Sequence, residues 1–261
     1  MTLTVADRLN EGGAAFGITL TIVDPFLAEV IAAQPFDYLM VDAEHSPMST
    51  YQLQTQLIAL RTTKATILVR VADGNPTVIG EVLDLGAHGV VVPHIETREE
   101  CANAVSAALY PPRGHRGIGP RRAARLTDRA SYFRRANDDT LIVALIESAP
   151  GVENIDDILA VEGLGGVIIG AVDLSASLGH LNDPEHEDVV KAVDVIIERC
   201  NAAGVPFGMY APSAAAAAKL LSRGARIISV GSDLIFFDQG MSAVLDAVRP
   251  VRDGHLDVAG L

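Results

Sequence analysis

Cations, cysteines and aromatic side chains are all scarce in this chain. Lysine and arginine together number 20 against 33 acids, a formal net charge of −13 over 261 residues, with an isoelectric point near 4.8. That balance excludes the cationic face that nucleic acid or an anionic membrane requires. The two cysteines, Cys101 and Cys200, fall in helix-patterned segments without metal-type spacing. They exclude a disulfide framework and point to a reducing compartment. No uncharged apolar stretch approaches the length of a membrane span, and the first eight residues lack the basic-then-apolar order of a signal peptide. A soluble, cytoplasmic protein is expected. Lysine is the most telling shortage: of three, Lys64 precedes an apolar run, while Lys191 and Lys219 lie within helical patterns. Imine chemistry needs a desolvated lysine beside the substrate, so a Schiff-base mechanism is excluded.

What the chain has is apolar alternation. It is 49% hydrophobic with a mean hydropathy of +0.29, enough for one large core. Eight short apolar or β-branched runs read as strands, at 17–23, 36–41, 66–71, 89–92, 141–146, 166–169, 206–209 and 226–230. Helical patterns follow them, among them one opened by Asp24-Pro25, one capped by Ser49 or Thr50, one opened by Asn75-Pro76 and closed by Gly86, and one over about 184–203. A last helix is expected over roughly 241–248, with a polar tail beyond. Eight strand–helix alternations with short connections predict an α/β fold, a single-domain (β/α)8 barrel over residues 1–261. The exception is the irregular segment 110–126, which holds Arg113, Arg116, Arg121, Arg122 and Arg125.

Titratable groups fall at the carboxyl ends of these runs: Asp42, Glu44 and His45 after the second, Arg70 ending the third, Glu147 after the fifth, and Asp173 after the sixth. This is the end at which barrels build active sites. Individually each has a plainer role, such as Glu147 capping the helix near Pro150 or Arg70 pairing with a loop acid. Together they would be costly to bury unless paired or holding a cation. Glu147 and Asp173, on adjacent strands with no Cys or His beside them, suit a hard ion: Mg2+, or Mn2+ or Co2+ in its place. Gly231-Ser232-Asp233 after the eighth run also reads as a tight turn or a phosphate site.

The segments Val41-Asp42-Ala43-Glu44-His45, Leu68-Val69-Arg70, Tyr110 to Gly119, Ile146-Glu147 and Ile169 to Ser175 resemble the HpcH/HpaI aldolase family, across nearly the whole chain and in order. The resemblance implies a divalent-metal-dependent lyase that reversibly cleaves 4-hydroxy-2-oxoacids to pyruvate and an aldehyde through an enolate at the metal. It implies Glu147 and Asp173 as metal ligands and His45 as the proton-moving histidine with Asp42 as its acidic partner. Arg70 would hold the ketoacid, with the backbone of Gly170, Ala171 and Val172 around its carboxylate. Asp84 would reach a neighbouring subunit's site, in a homo-oligomer, often a hexamer, with the last helix exchanged. Arg116 and its loop either cover the mouth and meet substrate anions or form a solvated surface loop that packs between subunits. The chain departs from many relatives where Ala171 and Val172 replace a Pro-Ala pair, which implies a looser and narrower carboxylate pocket. Where relatives often carry tryptophan it has Thr19-Leu20-Thr21. Two other classes compete: a citryl- or malyl-CoA-type lyase, and a non-catalytic ligand-binding barrel.

Overall fold

A computed structural model describes residues 4–126 and 128–252; the polar tail expected after the last helix lies outside them. A short helix α1 (Val5–Asn10) precedes eight strands: β1 (Ala15–Leu20), β2 (Tyr38–Asp42), β3 (Thr66–Arg70), β4 (Gly89–Val92), β5 (Leu141–Ile146), β6 (Gly166–Ile169), β7 (Phe207–Tyr210) and β8 (Ile227–Ser232). All neighbours pair in parallel and β8 pairs with β1, so the sheet closes into a (β/α)8 barrel. The helices between are α2 (Pro25–Ala32), α3 (Thr50–Ala59), α4 (Pro76–Asp84), α5 (Arg98–Ala108), α6 (Arg129–Asp139), α7 (Ala149–Glu153), α8 (Ile155–Leu159), α9 (Ala171–Ser177), α10 (Glu187–Ala203) and α11 (Ala214–Ser222), with α12 (Asp233–Arg252) last.

Side chains alternate across each strand, and this period of two sorts the core. Tyr38, Met40, Leu68, Val91, Val143, Leu145 and Ile227 fill the barrel interior, where Val5 and Leu9 of α1 join them from below. Leu39, Val41, Ile67, Val69, Ile142 and Ala144 point outward into the larger cluster against the helices. Continuing the inward parity upward gives Asp42, Arg70 and Glu147. The fold thus delivers these three to the carboxyl end of the lumen, directly above its apolar layers. Gly17 makes a close approach to its neighbour strand: a Cβ there would lie 2.4 Å from the Tyr38 carbonyl oxygen, so only glycine fits beside that ring.

The caps are those the sequence announces. Asp24 accepts from the Leu27 N–H at 2.8 Å, Ser49 from Gln52 at 3.3 Å, and Asn75 from Thr77 at 2.8 Å. Four features differ from the sequence-based expectation. The helix α6 lies in a stretch expected to be irregular or unassigned; only Ala136 on it is buried, so it carries no apolar periodicity to read. The helix α12 starts at Asp233 rather than near Met241, because Gly231 and Gly240 read as breaks. The helices α1, α7, α8 and α9 are too short to show a helical period. The Gly231-Ser232-Asp233 turn holds a carboxylate where a phosphate was one reading: buried Asp233 accepts from the N–H groups of Thr21 (2.9 Å) and Ile22 (2.9 Å) and from the Thr21 hydroxyl (2.6 Å). No helix among the described residues is long and apolar enough to cross a membrane.

Asp233 therefore latches the end of β8 to the end of β1, the seam at which the barrel closes. Replacing it with alanine strands three half-buried donors and should lower unfolding free energy by roughly 3 kcal/mol. Asp233→Asn, which keeps an acceptor, should lose less. Urea unfolding measures both, and an unchanged midpoint in the alanine variant would remove the latch.

Candidate active site

At the carboxyl end of β2, Asp42 lies in register opposite Arg70 of β3. The guanidinium grips it with both edges, Nε to Oδ1 at 2.9 Å and Nη2 to Oδ2 at 2.8 Å. The same Nε lies 3.1 Å from Glu44 Oε2. Asp42 Oδ1 also accepts the backbone N–H groups of Glu44 (3.1 Å) and His45 (3.3 Å), which folds the loop after β2 over the mouth. Burial pushes the Asp42 carboxyl up, but the hydrogen bonds and charge of Arg70 outweigh it and hold the group below its usual value.

Across the lumen, buried Glu147 faces His94, which follows Pro93 at the end of β4. The His94 N–H donates to Glu147 Oε1 at 2.9 Å, and His94 Nδ1 lies 3.2 Å from the same oxygen. His94 Nε2 lies 3.5 Å from Glu44 Oε1, so the ring spans two carboxylates. Burial, together with the nearby charges of Glu44 and Asp173, pushes the Glu147 carboxyl up despite these contacts. Glu44 Oε2 is itself buried and has no hydrogen-bond partner.

Asp173 sits in the first turn of α9, exposed, and lines the same cavity as Glu147, Arg70, Gly170, Thr19 and Ser229. That cavity encloses about 270 Å3. Gly170 is needed for its shape: a Cβ there would lie 2.9 Å from Glu147 Oε2. The expected loosening at Ala171 does not appear. Gly170 N–H donates to the Ile146 carbonyl at 3.0 Å and the Ser175 hydroxyl to that of Val172 at 2.6 Å, so the turn is held without a proline ring. Val172 is exposed.

The structure brings together Asp42, Glu44, His45, Arg70, Glu147, Gly170 and Asp173. The capping role of Glu147 falls away, since Ser148 caps α7, whereas Arg70 does pair with a loop acid, Glu44. Three readings need correction. Asp42 binds Arg70 and the loop backbone, and the carboxylate nearest the exposed His45 ring is Glu44, with Oε2 3.6 Å from Nε2; a fully engaged Asp42 has no lone pair directed at the imidazole. The surroundings of Glu147 include an imidazole, His94, which the rule of a cation with oxygen donors alone overlooked. Its signal was available, because Pro93-His94 ends a strand just as the chosen acids do.

The third correction concerns Arg116 and its loop. They lie at the amino end of the barrel, away from the mouth. Buried Arg116 donates to Asp84 at 2.6 Å and Tyr132 at 3.2 Å, and stacks over Tyr110. Arg122 donates to the carbonyls of Leu57, at 2.9 Å, and Leu85, where the negative ends of α3 and α4 converge. The loop neutralises helix ends, and within one subunit it is out of reach of substrate. Asp84 lies there with it, at the last residue of α4.

Comparison with known proteins agrees with the architecture. The family model for HpcH/HpaI aldolase/citrate lyase matches residues 17–239. The chain is 38% identical over 234 residues to the 5-keto-4-deoxy-D-glucarate aldolase of Shigella dysenteriae serotype 1, covering 89% of this chain and 91% of that protein. It is 38% identical over 235 residues to the 2-keto-3-deoxy-L-rhamnonate aldolase of Klebsiella pneumoniae, covering 89% and 88%. Among solved structures, an HpcH/HpaI aldolase/citrate lyase family protein from Burkholderia cenocepacia superposes with a TM-score of 0.89 at 32% identity, covering 94% of this chain and 98% of that one.

The Asp42–Arg70 pair makes stability pH-dependent in a definite direction. Because the folded carboxyl titrates below its unfolded value of about 3.9, its contribution is complete above that value and is lost as pH falls through the folded one. Asp42→Asn should cost roughly 3 kcal/mol at neutral pH, by leaving Arg70 short of a partner. It should also flatten the acid limb of a stability–pH series measured by urea unfolding. The same acid limb in wild type and variant would show that the pair does not set it.

Proposed function

The chain belongs to the HpcH/HpaI aldolase/citrate lyase family, and from that membership and the geometry of the mouth we propose that it is a divalent-metal-dependent aldolase cleaving 4-hydroxy-2-oxoacids to pyruvate and an aldehyde. The substrate class is that of hydroxylated sugar-derived ketoacids, on which the relatives from Shigella and Klebsiella are named to act. The observation that carries the reading is the charge imbalance at the mouth. Burial and the charges of Glu44 and Asp173 push the Glu147 carboxyl up, while Arg70 is bonded through two edges to Asp42 and its Nε also faces Glu44 Oε2 at 3.1 Å. Glu147 and Asp173, which line one cavity without a cation of their own, fit a divalent ion between them. Glu147 and Asp173 are the proposed ligands, with Mg2+, Mn2+ or Co2+ as the candidate ions. A divalent ion there supplies Lewis-acid polarisation of a keto oxygen.

The remaining work falls to side chains. Arg70, held rigid by its two bonds to Asp42, presents a fixed positive charge at the level where a ketoacid enters, and such preorganised charge favours the developing enolate. His45 stands in the open mouth and takes the proton of the C4 hydroxyl. Glu44 lies 3.6 Å from its Nε2. As that proton leaves, the C3–C4 bond breaks and its electron pair passes to the pyruvate enolate, releasing the aldehyde; a proton returned to C3 completes pyruvate. The turn at Gly170, Ala171 and Val172 opens α9 toward the cavity with no side-chain cap, which suits a substrate carboxylate. The cavity of about 270 Å3 holds a small acid rather than a nucleotide-bearing thioester, so the CoA reading is disfavoured. A cytoplasmic location is part of the proposal.

A homo-oligomer, often a hexamer in this family, is proposed as well. The helix α12 leaves Leu234, Phe236, Phe237, Met241, Val244 and Leu245 exposed, an apolar face suited to a second copy through exchange of that helix. Asp84, distant from its own mouth, would act on a partner's.

Proton NMR of the pyruvate methyl group in D2O tests the chemistry without a choice of aldehyde. Metal-stripped protein should give no exchange, and Mg2+ or Mn2+ should restore it; exchange without metal, or none with it, would overturn the reading. His45→Ala should lower aldol-cleavage turnover by about 10²–10⁴-fold with an unchanged thermal midpoint, and a fully active variant would remove His45 from proton transfer.

A further inference from the structure

The imidazole at the end of β4 is the feature of the mouth that the proposed chemistry leaves unused. His94 has a positive φ of 53°, a conformation that L side chains adopt rarely and that persists only where the surroundings impose it. Here the surroundings are specific. The backbone N–H is tied to Glu147 Oε1 at 2.9 Å, and the ring lies between Glu147 and Glu44, with Nδ1 3.2 Å from one and Nε2 3.5 Å from the other. Ligand atoms of Glu44, His94 and Glu147 all lie within 4.8 Å of one another, a spacing from which three donors can reach one ion. Glu44 Oε2 is taken up by Arg70 Nε at 3.1 Å, which leaves Oε1, the oxygen that faces His94, free to meet an ion.

We propose that His94 supplies a nitrogen ligand to the divalent ion held at Glu147, making the centre of this chain a mixed nitrogen–oxygen site that selects Co2+, Mn2+ or Zn2+ over Mg2+. The inference rests on the proposed metal reading and adds to it the identity of a donor. Carboxylates alone favour hard ions, and one imidazole raises affinity for the later first-row metals far more than for Mg2+. Nδ1 and Nε2 diverge across the ring, so one nitrogen binds the ion while the other remains toward a carboxylate, the arrangement that usually fixes a histidine ligand's tautomer. The alternative is that His94 merely bridges Glu44 and Glu147 as an ion pair. That role would affect fold stability but not the choice of ion.

The test compares wild type with His94→Asn, because asparagine tolerates positive φ and keeps the backbone bond to Glu147. Each metal-stripped protein is titrated with Co2+ and with Mg2+ by calorimetry, and Mn2+-loaded samples are examined by pulsed EPR for 14N coupling. The Co2+-to-Mg2+ affinity ratio should fall about 10-fold or more in the variant. The 14N coupling should be present in wild type, vanish in His94→Asn, and survive in His45→Gln, which excludes the other histidine as its source. An unchanged ratio, or wild-type coupling that is absent or survives His94→Asn, overturns the nitrogen ligand while leaving a carboxylate-bound ion intact. Failure of every ion to bind would overturn the metal reading together with this inference.

Discussion

One guanidinium organises the mouth of this barrel. Arg70 is bonded through two edges to Asp42 and feels the charges of Glu44 and Glu147 as well. A planar fork locked on a carboxylate cannot turn to neutralise the others, and a lysine could not make the same two bonds. Two consequences follow from that commitment. The loop after β2 is drawn over the mouth, because Asp42 has acceptor capacity left for the amides of Glu44 and His45. Beyond Arg70, burial and then the charges of Glu44 and Asp173 push the Glu147 carboxyl up, which marks the place where a further positive charge fits. Both the rigidity of the site and its affinity for a cation come from one ion pair.

The same side-chain alternation that fills the lumen with Met40, Leu68, Val143 and Leu145 carries Asp42, Arg70 and Glu147 to its upper rim. Fold and site are thus one pattern read to different heights. The lower end is used differently. There Arg122 binds the terminal carbonyls of two helices and Arg116 fixes Asp84, so arginines that look like substrate binders in sequence are spent on helix ends.

This division explains what could be read from the chain alone. The strands announce themselves as bounded apolar runs, and five of the eight, β3 to β7, agree with those runs to within one residue at each end because the runs stop abruptly at glycine, proline or a charge. The acids and Arg70 at strand ends were legible for the same reason. The helix α6 was not, since a helix lying on the surface with one buried alanine carries no period. The place of the loop of Arg113 to Arg125 is not legible, because Arg122 faces helix carbonyls and Arg113 and Arg116 pair with acids distant in sequence, Asp138 and Asp84. His94 is signalled by its place after Pro93 at the end of β4, but its approach to Glu147 depends on a left-handed backbone angle that sequence does not disclose.

The distribution of burial at the mouth has its own logic. Asp42 and Glu147 are buried and held by backbone amides, whereas His45 and His94 are more than half exposed, at 64% and 66% of their side-chain surface. Groups that fix charge gain from a low dielectric and a rigid frame, because neither has to reorganise when negative charge develops. Groups that exchange protons need contact with water and room to turn. Strand ends provide the first condition and the loops after them the second. A barrel with short β/α loops meets both at one mouth. His94 is such a loop residue, one change away from altering the metal chemistry without touching the frame.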